Sequence, residues 1–189
     1  MGLDQELDWV LRARQGDEQA FAQLVEAYQR PIYNLAYRML GSSVEAEDAT
    51  QEAFVRIWTR LDTYDPGRKL SSWVLSVASH HCIDRLRRRG GGQVSMEEIM
   101  ASRWLPDGDP KPEERALVSE RDERVRRLLD LLQPQYRLVI VLRYWEDKSY
   151  AEIAEITDTT ESAVKSRLHR ARLAMAELLS AGERLPIET

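Results

Sequence analysis

Thr159-Thr160-Glu161-Ser162-Ala163-Val164-Lys165-Ser166-Arg167-Leu168-His169-Arg170-Ala171-Arg172 carries two patterns at once, and its continuation runs to Leu179. Val164, Leu168, Ala171, Met175 and Leu178 recur at the spacing of one helical face. Lys165, Ser166, Arg167, His169, Arg170 and Arg172 then fall on the rest of the surface. A hydroxyl on Thr159 or Thr160 can accept an orphan backbone N–H and start the helix. The reading is a helix with an apolar keel and a basic outer face.

Just upstream, Ser149 and Glu152 have the spacing of a capping box. Ala151, Ile153, Ala154 and Ile156 supply small and branched apolar side chains for a short helix. Thr157-Asp158-Thr159 is a turn, and Asp158 tolerates the left-handed conformation that such turns need. A short helix, a tight turn and a longer basic helix make a helix-turn-helix, the second helix sized for the major groove. The plainer alternative is a helical hairpin with a solvated charged face. Caps on both helices, small residues where they must meet, and four cations in an otherwise acidic chain favour DNA binding.

The chain has 189 residues, room for one large or two small domains. Hydrophobic residues make up 43%, enough for a core, and the net charge is -5. That balance argues against coating nucleic acid non-specifically but not against a local basic patch. Cys82 is alone, so there is no disulfide framework, which suits a reducing compartment. No stretch approaches the roughly 18 apolar residues of a membrane span, and no signal-peptide pattern begins the chain. The expectation is a cytoplasmic protein that does not insert into a membrane.

Helical periodicity runs nearly throughout, which predicts an all-α fold. Residues from Asp4 to Arg14 read as an amphipathic helix with Leu7, Val10 and Leu11 inward, ended by Gly16. Asp17 caps the next helix, and Pro31 should kink or restart it. Ser42 with Glu45 forms a second capping box for a helix to about Leu61. Its buried stripe would be Ala46, Ala49, Ala53, Ile57, Trp58 and Leu61. The acids in its first half suit the positive end of the helix dipole. They also suit a face that docks a protein partner. No Glu-x-x-His motif accompanies them, and His80-His81-Cys82 has no fourth ligand. We therefore expect no metal, no cofactor and no enzymatic activity.

Asp65-Pro66-Gly67 has turn chemistry, and Ser71 or Ser72 would cap the helix that follows and closes at Arg85-Leu86-Arg87-Arg88-Arg89. Tyr64 and Trp73 bracket Arg68 and Lys69. Aromatics beside cations can hold single-stranded DNA, the bases stacking on rings while phosphates meet the charge; equally, either ring can be core. Gly90-Gly91-Gly92 marks a boundary, Ser95 to Leu105 can form a short capped helix, and Pro-rich residues to Pro112 resume a linker. Pro134 breaks the helical pattern between Leu132 and Val139. Extended at about 3.3 Å per residue, residues 90–112 reach at most roughly 75 Å. At about 3.4 Å per base pair that lets two domains straddle about 20 base pairs.

Two blocks resemble a known family. Glu45-Ala46-Glu47-Asp48-Ala49-Thr50-Gln51-Glu52-Ala53-Phe54, with Trp73 and Asp84-Arg85-Leu86-Arg87-Arg88, looks like domain two of a sigma-70 family factor. Tyr144 to Leu179 looks like domain four. Two such domains on a short linker resemble the extracytoplasmic-function (ECF) group. The resemblance implies sigma domain 2 over 1–89, a linker over 90–116, sigma domain 4 over 117–180 and a tail over 181–189. It implies core RNA polymerase and promoter DNA as partners, with an anti-sigma factor as the common inhibitor. Asp48, Gln51, Glu52, Val55 and Trp58 would face the polymerase. Tyr64, Arg68, Lys69, Ser72, Trp73, His80, Arg85 and Arg88 would serve the minus-ten element, opening it and holding an unpaired base. Lys165, Ser166, His169 and Arg170 would read the minus-thirty-five element, with Arg167 and Arg172 on phosphates. His80 departs from the family's usual Asn, and Thr160 and Ser162 from its usual Pro and Gly. The competing class is a two-domain helix-turn-helix regulator that works without polymerase, which has no reason to carry the Asp48–Trp58 surface or the Tyr64–Trp73 loop.

Overall fold

A computed structural model of the chain describes residues 3–89 and 120–182, with side chains for 5–89 and 125–180. The expected Ser95–Leu105 helix, most of the linker and most of the tail lie outside the described residues. All described secondary structure is helical, as the periodicity predicts. In the first half lie α1 (Leu3–Arg14), α2 (Glu18–Leu40), α3 (Ser43–Thr59), a 3-10 turn (Leu61–Thr63) and α4 (Leu70–Arg89). In the second half lie α5 (Glu120–Asp130), α6 (Pro134–Tyr144), α7 (Tyr150–Ile156) and α8 (Glu161–Gly182).

α2 is the spine of the first half, because α1, α3 and α4 all pack on it. It runs on through Pro31, so of the two expectations, a kink or a restart, the restart does not occur. The missing N–H costs a hydrogen bond, but Tyr28, Ile32 and Leu35 continue one buried face across the proline, and that packing holds the helix. Asp17 caps it, its Oδ1 accepting from the Gln19 and Ala20 amides at 3.0 Å. In α3, Ala46, Ala49, Ala53 and Ile57 form the buried stripe. Leu61 is buried beyond its end, in the 3-10 turn, but Trp58 is not in the stripe and is 40% exposed. Leu11 likewise lies outside at 45% exposure, while Trp9, Val10 and Ala13 are the inward residues of α1. Ser42 accepts from the Glu45 amide at 3.4 Å, which is half of the expected box. The Glu45 carboxylate turns instead to Arg85 and Arg89. No serine caps α4: it starts at Leu70, and Ser72 is buried inside it.

The second half is built on α6, where Pro134 occupies the first turn and Val139, Val141 and Leu142 are fully buried. The two halves meet at the C-terminal end of α2. There Arg137 donates to the Met39 carbonyl, Arg89 to Leu40 and Arg126 to Gly41. Three guanidinium groups thus satisfy carbonyls that a helix end leaves unpaired, at the negative end of its dipole. Gly41 is left-handed (φ 77°), and a Cβ there would come within 3.3 Å of Asp130 Oδ1. The positive φ favours glycine, and any side chain there would also push the Asp130 carboxylate aside. α7 packs on α4, and α8 packs on α6 and α7.

Candidate nucleic-acid interface

The helix-turn-helix is built as its sequence implies. Ser149 and Glu152 complete a reciprocal capping box at the start of α7. Asp158 adopts φ 50° in the turn. Of the two candidate caps, Thr160 is the one used, its Oγ1 accepting from the Ala163 amide at 3.2 Å. Val164, Leu168 and Ala171 of α8 are fully buried, whereas Lys165, Ser166, His169, Arg170 and Arg172 are exposed. Arg167 is half-buried at the edge of the keel. Lys165 Nζ lies 5.8 Å from the centre of the Tyr150 ring, on which Arg143 also rests at 5.5 Å. One face of α8 is anchored and the other presents donors to solvent.

The second group of predicted residues lies on α3. Asp48, Gln51, Glu52, Val55 and Trp58 are all exposed along one face, Val55 at 57%. Trp58 is steadied by Phe21, edge to face at 4.7 Å between ring centres. The first four of these residues line an open cavity of about 540 Å³ with Arg56, His81, Arg85 and Arg88. Arg85 and Arg88, expected beside the minus-ten loop, therefore belong spatially to this cavity. Arg85 lies 3.7 Å from Glu45 and 3.9 Å from Asp48. His81 went unnoticed in the sequence except as a rejected ligand. It is 94% buried, since its exposure is 6%, and neither ring nitrogen has a hydrogen-bond partner. Burial, reinforced by Arg56, lowers its pKa from 6.5 and keeps it neutral. No sequence pattern flags such a residue, because the cavity is made by α3 and α4 together.

The third group is the loop from Tyr64 to Trp73. Arg14 of α1 organises it, donating to the Leu61 carbonyl at 2.9 Å and to that of Tyr64. The Asp65 side chain accepts from the Gly67 amide at 2.8 Å, closing the expected turn. Tyr64 and Trp73 pack with ring centres 5.5 Å apart and are both buried, and the Tyr64 hydroxyl donates to the Arg68 carbonyl at 2.7 Å. These rings are core in this state, and Ser72 is buried with them. His80 is exposed on α4, its Nδ1 2.8 Å from the Ser76 carbonyl.

The cations of the loop are occupied. Arg68 Nε donates to Glu155 Oε1 at 2.8 Å and its Nη2 to the Glu155 carbonyl at 3.1 Å. Lys69 Nζ donates to Glu152 Oε1 at 2.8 Å. Lys69 and both hydrogen bonds from Ser149 hold the Glu152 carboxyl down at about 2. The structure thus brings the loop not to α8 but to the acidic side of α7. Sequence reasoning missed this meeting, because the partners are 83 and 87 residues apart.

Comparison with known proteins accords with both halves. Residues 24–91 match the family Sigma-70 region 2, and residues 122–175 match Sigma-70, region 4. The chain is 36% identical over 177 residues to the ECF RNA polymerase sigma factor SigW of Bacillus subtilis (strain 168), covering 90% of this chain and 94% of that one. It is 32% identical to the ECF RNA polymerase sigma-E factor of Escherichia coli (strain K12), over 88% of this chain and 90% of that one. Among solved structures it resembles CnrH in complex with the cytosolic domain of CnrY, with a TM-score of 0.68 and 25% identity over 95% and 99% of the two chains. The fold is also that of the sigma factor RpoE in complex with the anti-sigma factor NepR from Bartonella quintana, with a TM-score of 0.63 and 23% identity over 85% and 96%. A plain helix-turn-helix regulator does not account for the region 2 match over α2, α3 and α4. The chain belongs to the sigma-70 family, in its group of ECF RNA polymerase sigma factors, proteins that direct promoter-specific initiation by core RNA polymerase.

Proposed function

We propose that promoter recognition in this chain is divided among three surfaces. The exposed row of α8 enters the major groove of the minus-thirty-five element. Lys165 and Arg170 offer donors to guanine acceptors, which are chemically distinct in that groove. Ser166 and His169 complete the readout, and Arg167 and Arg172 meet phosphates. The α3 face, Asp48 through Trp58, docks on core polymerase. The loop from Tyr64 to Trp73, with its cations Arg68 and Lys69 and with His80 on α4, engages the opened minus-ten element. Arg85 and Arg88 contribute from the α3 cavity.

The assignment follows a domain 2 over 1–89, a linker over 90–116, a domain 4 over 117–180 and a tail over 181–189. No described helix is long and apolar enough to cross a membrane. A sigma factor acts where the chromosome is, so the cytoplasm is the assigned compartment. An anti-sigma factor is the fitting inhibitor, since the similar RpoE is known in complex with one. The protein makes no bond and carries no cofactor in this scheme.

The observation that carries the reading is the division of α8 into a keel buried at Val164, Leu168 and Ala171 and an exposed basic row beside a complete cap and turn. Run-off transcription with purified core polymerase on a genomic library tests it. Promoter-specific starts that shift in sequence preference with Arg170→Ala are expected. Starts independent of the chain would overturn it.

A further inference from the structure

One guanidinium reaches three backbone carbonyls where the chain enters the loop that the reading above gives to melted DNA. Arg14, the last residue of α1, donates to the Leu61 carbonyl from Nε at 3.0 Å and from Nη2 at 2.9 Å. The same Nη2 reaches the Asp62 carbonyl at 3.4 Å and the Tyr64 carbonyl. Asp62 Oδ1 stands 3.9 Å from Nε. A guanidinium carries its donors in one rigid fork, so it can hold several carbonyls at fixed angles to one another. Its side chain is only 21% exposed, so these contacts are better shielded from water than a surface pair.

α1 is itself held at both ends, which fixes where that fork stands. Val10 is fully buried, with Trp9 and Ala13 beside it. Tyr28 of α2 donates to Glu6 Oε1 at 2.9 Å near the start of α1, and Arg12 pairs with Asp17 at 2.7 Å near its end. Beyond Tyr64 the loop continues the same construction. The Tyr64 hydroxyl donates to the Arg68 carbonyl at 2.7 Å, and Asp65 Oδ1 accepts from the Gly67 amide at 2.8 Å. A chain of hydrogen bonds thus runs from α1 through Tyr64 to Arg68, next to Lys69. All of it lies within the first half, and α1 itself precedes residues 24–91, the stretch that matches region 2.

From this we infer that Arg14 is a positioning residue for the minus-ten loop, and that α1 is part of the promoter-opening apparatus. The inference rests on the reading of the loop given above. Arg14 acts through the loop backbone rather than on a base. It holds the carbonyls of Leu61 and Tyr64, which sets the Tyr64 ring where its hydroxyl meets the Arg68 carbonyl, and so sets the direction in which Arg68 and Lys69 leave the chain. A loop already held in one conformation loses little freedom when it takes an unpaired base. A loosened loop binds more weakly, by the fraction of chains that hold the competent conformation. The minus-thirty-five contact of α8 has no share in this chain of bonds.

The test uses the full chain bound to core polymerase on promoter DNA. Arg14→Met keeps an unbranched stem and removes every donor. It should lower the permanganate reactivity of unpaired thymines about tenfold, the size of one lost charge-assisted hydrogen bond. On promoters randomised in the minus-ten element it should relax base preference at one position. Upstream protection and affinity for core polymerase should stay as they were. Arg14→Lys keeps the charge without the fork and should recover only part of the reactivity. A merely structural role would lower the unfolding temperature and all activities together and leave base preference unmoved. Unchanged reactivity and preference in a folded Arg14→Met protein would therefore overturn the inference, and so would lost reactivity with preference unmoved. If Arg14→Met does not fold, Arg14→Lys read in the same way decides. Arg68→Gln with Lys69→Gln, run alongside, judges the underlying reading separately. If that pair lowers reactivity and Arg14→Met does not, the inference alone fails. If Arg14→Met lowers reactivity and the pair does not, the role given to the cations fails and that of Arg14 stands.

Discussion

The outer face of α8 and the loop from Tyr64 to Trp73 are both basic, and both are assigned to DNA. On α8, Lys165, Ser166, His169 and Arg170 are exposed and face solvent over a buried keel. In the loop, Arg68 and Lys69 are engaged by Glu155 and Glu152, and the two rings are core. The difference shows that a basic motif identifies what a surface can bind, whereas packing decides when it can bind. A duplex needs no rearrangement of α8. A melted strand must displace acids from the loop and uncover anything it stacks on.

The largest expected effect comes from Arg137, whose side chain ties the second half to the end of α2. Arg137→Ala would remove a buried guanidinium and leave the Met39 carbonyl without its donor across the junction. Leaving a buried acceptor unpaired in this way costs about 1–3 kcal/mol, to which the lost packing of the Arg137 stem adds. Urea unfolding should show the loss, and energy transfer should show the halves released while α8 keeps its fold. A loss under about 1 kcal/mol would mean that the weaker pairs at Arg68 and Lys69 hold the loop by themselves.

Next come the two kinds of contact on α8. Arg170→Ala should cost about 1–3 kcal/mol and relax preference at one base position. Arg172→Ala should weaken all sequences alike and flatten the salt dependence. Selection of binding sites from a random duplex pool distinguishes the two. Identical changes in preference would remove the distinction between readout and backbone contact.

His81 contrasts with both regions, being buried polar rather than exposed. His81→Leu removes two unpartnered nitrogens and should stabilise the chain by about 1 kcal/mol at neutral pH. The sign of the pH effect follows from its lowered pKa. The unfolded chain, near 6.5, takes up a proton before the folded one does. Stability of the unsubstituted protein therefore falls as pH drops below 6.5, and the advantage of His81→Leu widens. Thermal unfolding from pH 7 to pH 5 reads this, and a constant difference would mean that His81 is solvated. Glu152, held at about 2, should keep its grip on Lys69 throughout that range. The stability contributed by its ionised form is lost only as pH falls below 4.5 toward about 2.

The smallest effect on stability is expected on α3. Gln51→Ala with Glu52→Lys should change stability by no more than about 0.5 kcal/mol, because both side chains are exposed. Affinity for core polymerase should fall. A large stability loss would make this face structural and reduce the free chain to one open surface, α8.

These contrasts mirror what the sequence made legible. Where one segment contains the pattern, most of the reading holds: Val164, Leu168 and Ala171 of the α8 keel, the Ser149–Glu152 box, the Asp158 turn and the alanine stripe of α3, although Met175 and Leu178 are only partly buried and Leu11 and Trp58 are exposed. Local reading failed where distant residues decide. Glu45 left its box because Arg85 and Arg89 approach from α4. Pro31 did not break α2, because the buried face on either side outweighs one lost hydrogen bond. That Arg85 and Arg88 line a cavity with α3 was not legible either, since α3 and α4 make that cavity together. Gly41 read as a stop signal, but its closeness to Asp130 became visible only with both halves in place.

Footprinting of the polymerase complex on its promoter, with permanganate to mark unpaired thymines, tests the division of labour most directly. Two protected patches about 20 base pairs apart are predicted, with reactive thymines only in the downstream one. Arg68→Gln with Lys69→Gln should reduce thymine reactivity and leave the upstream patch intact; these are better probes than Tyr64 or Trp73, whose rings are core. One continuous protected stretch without reactive thymines would contradict the account.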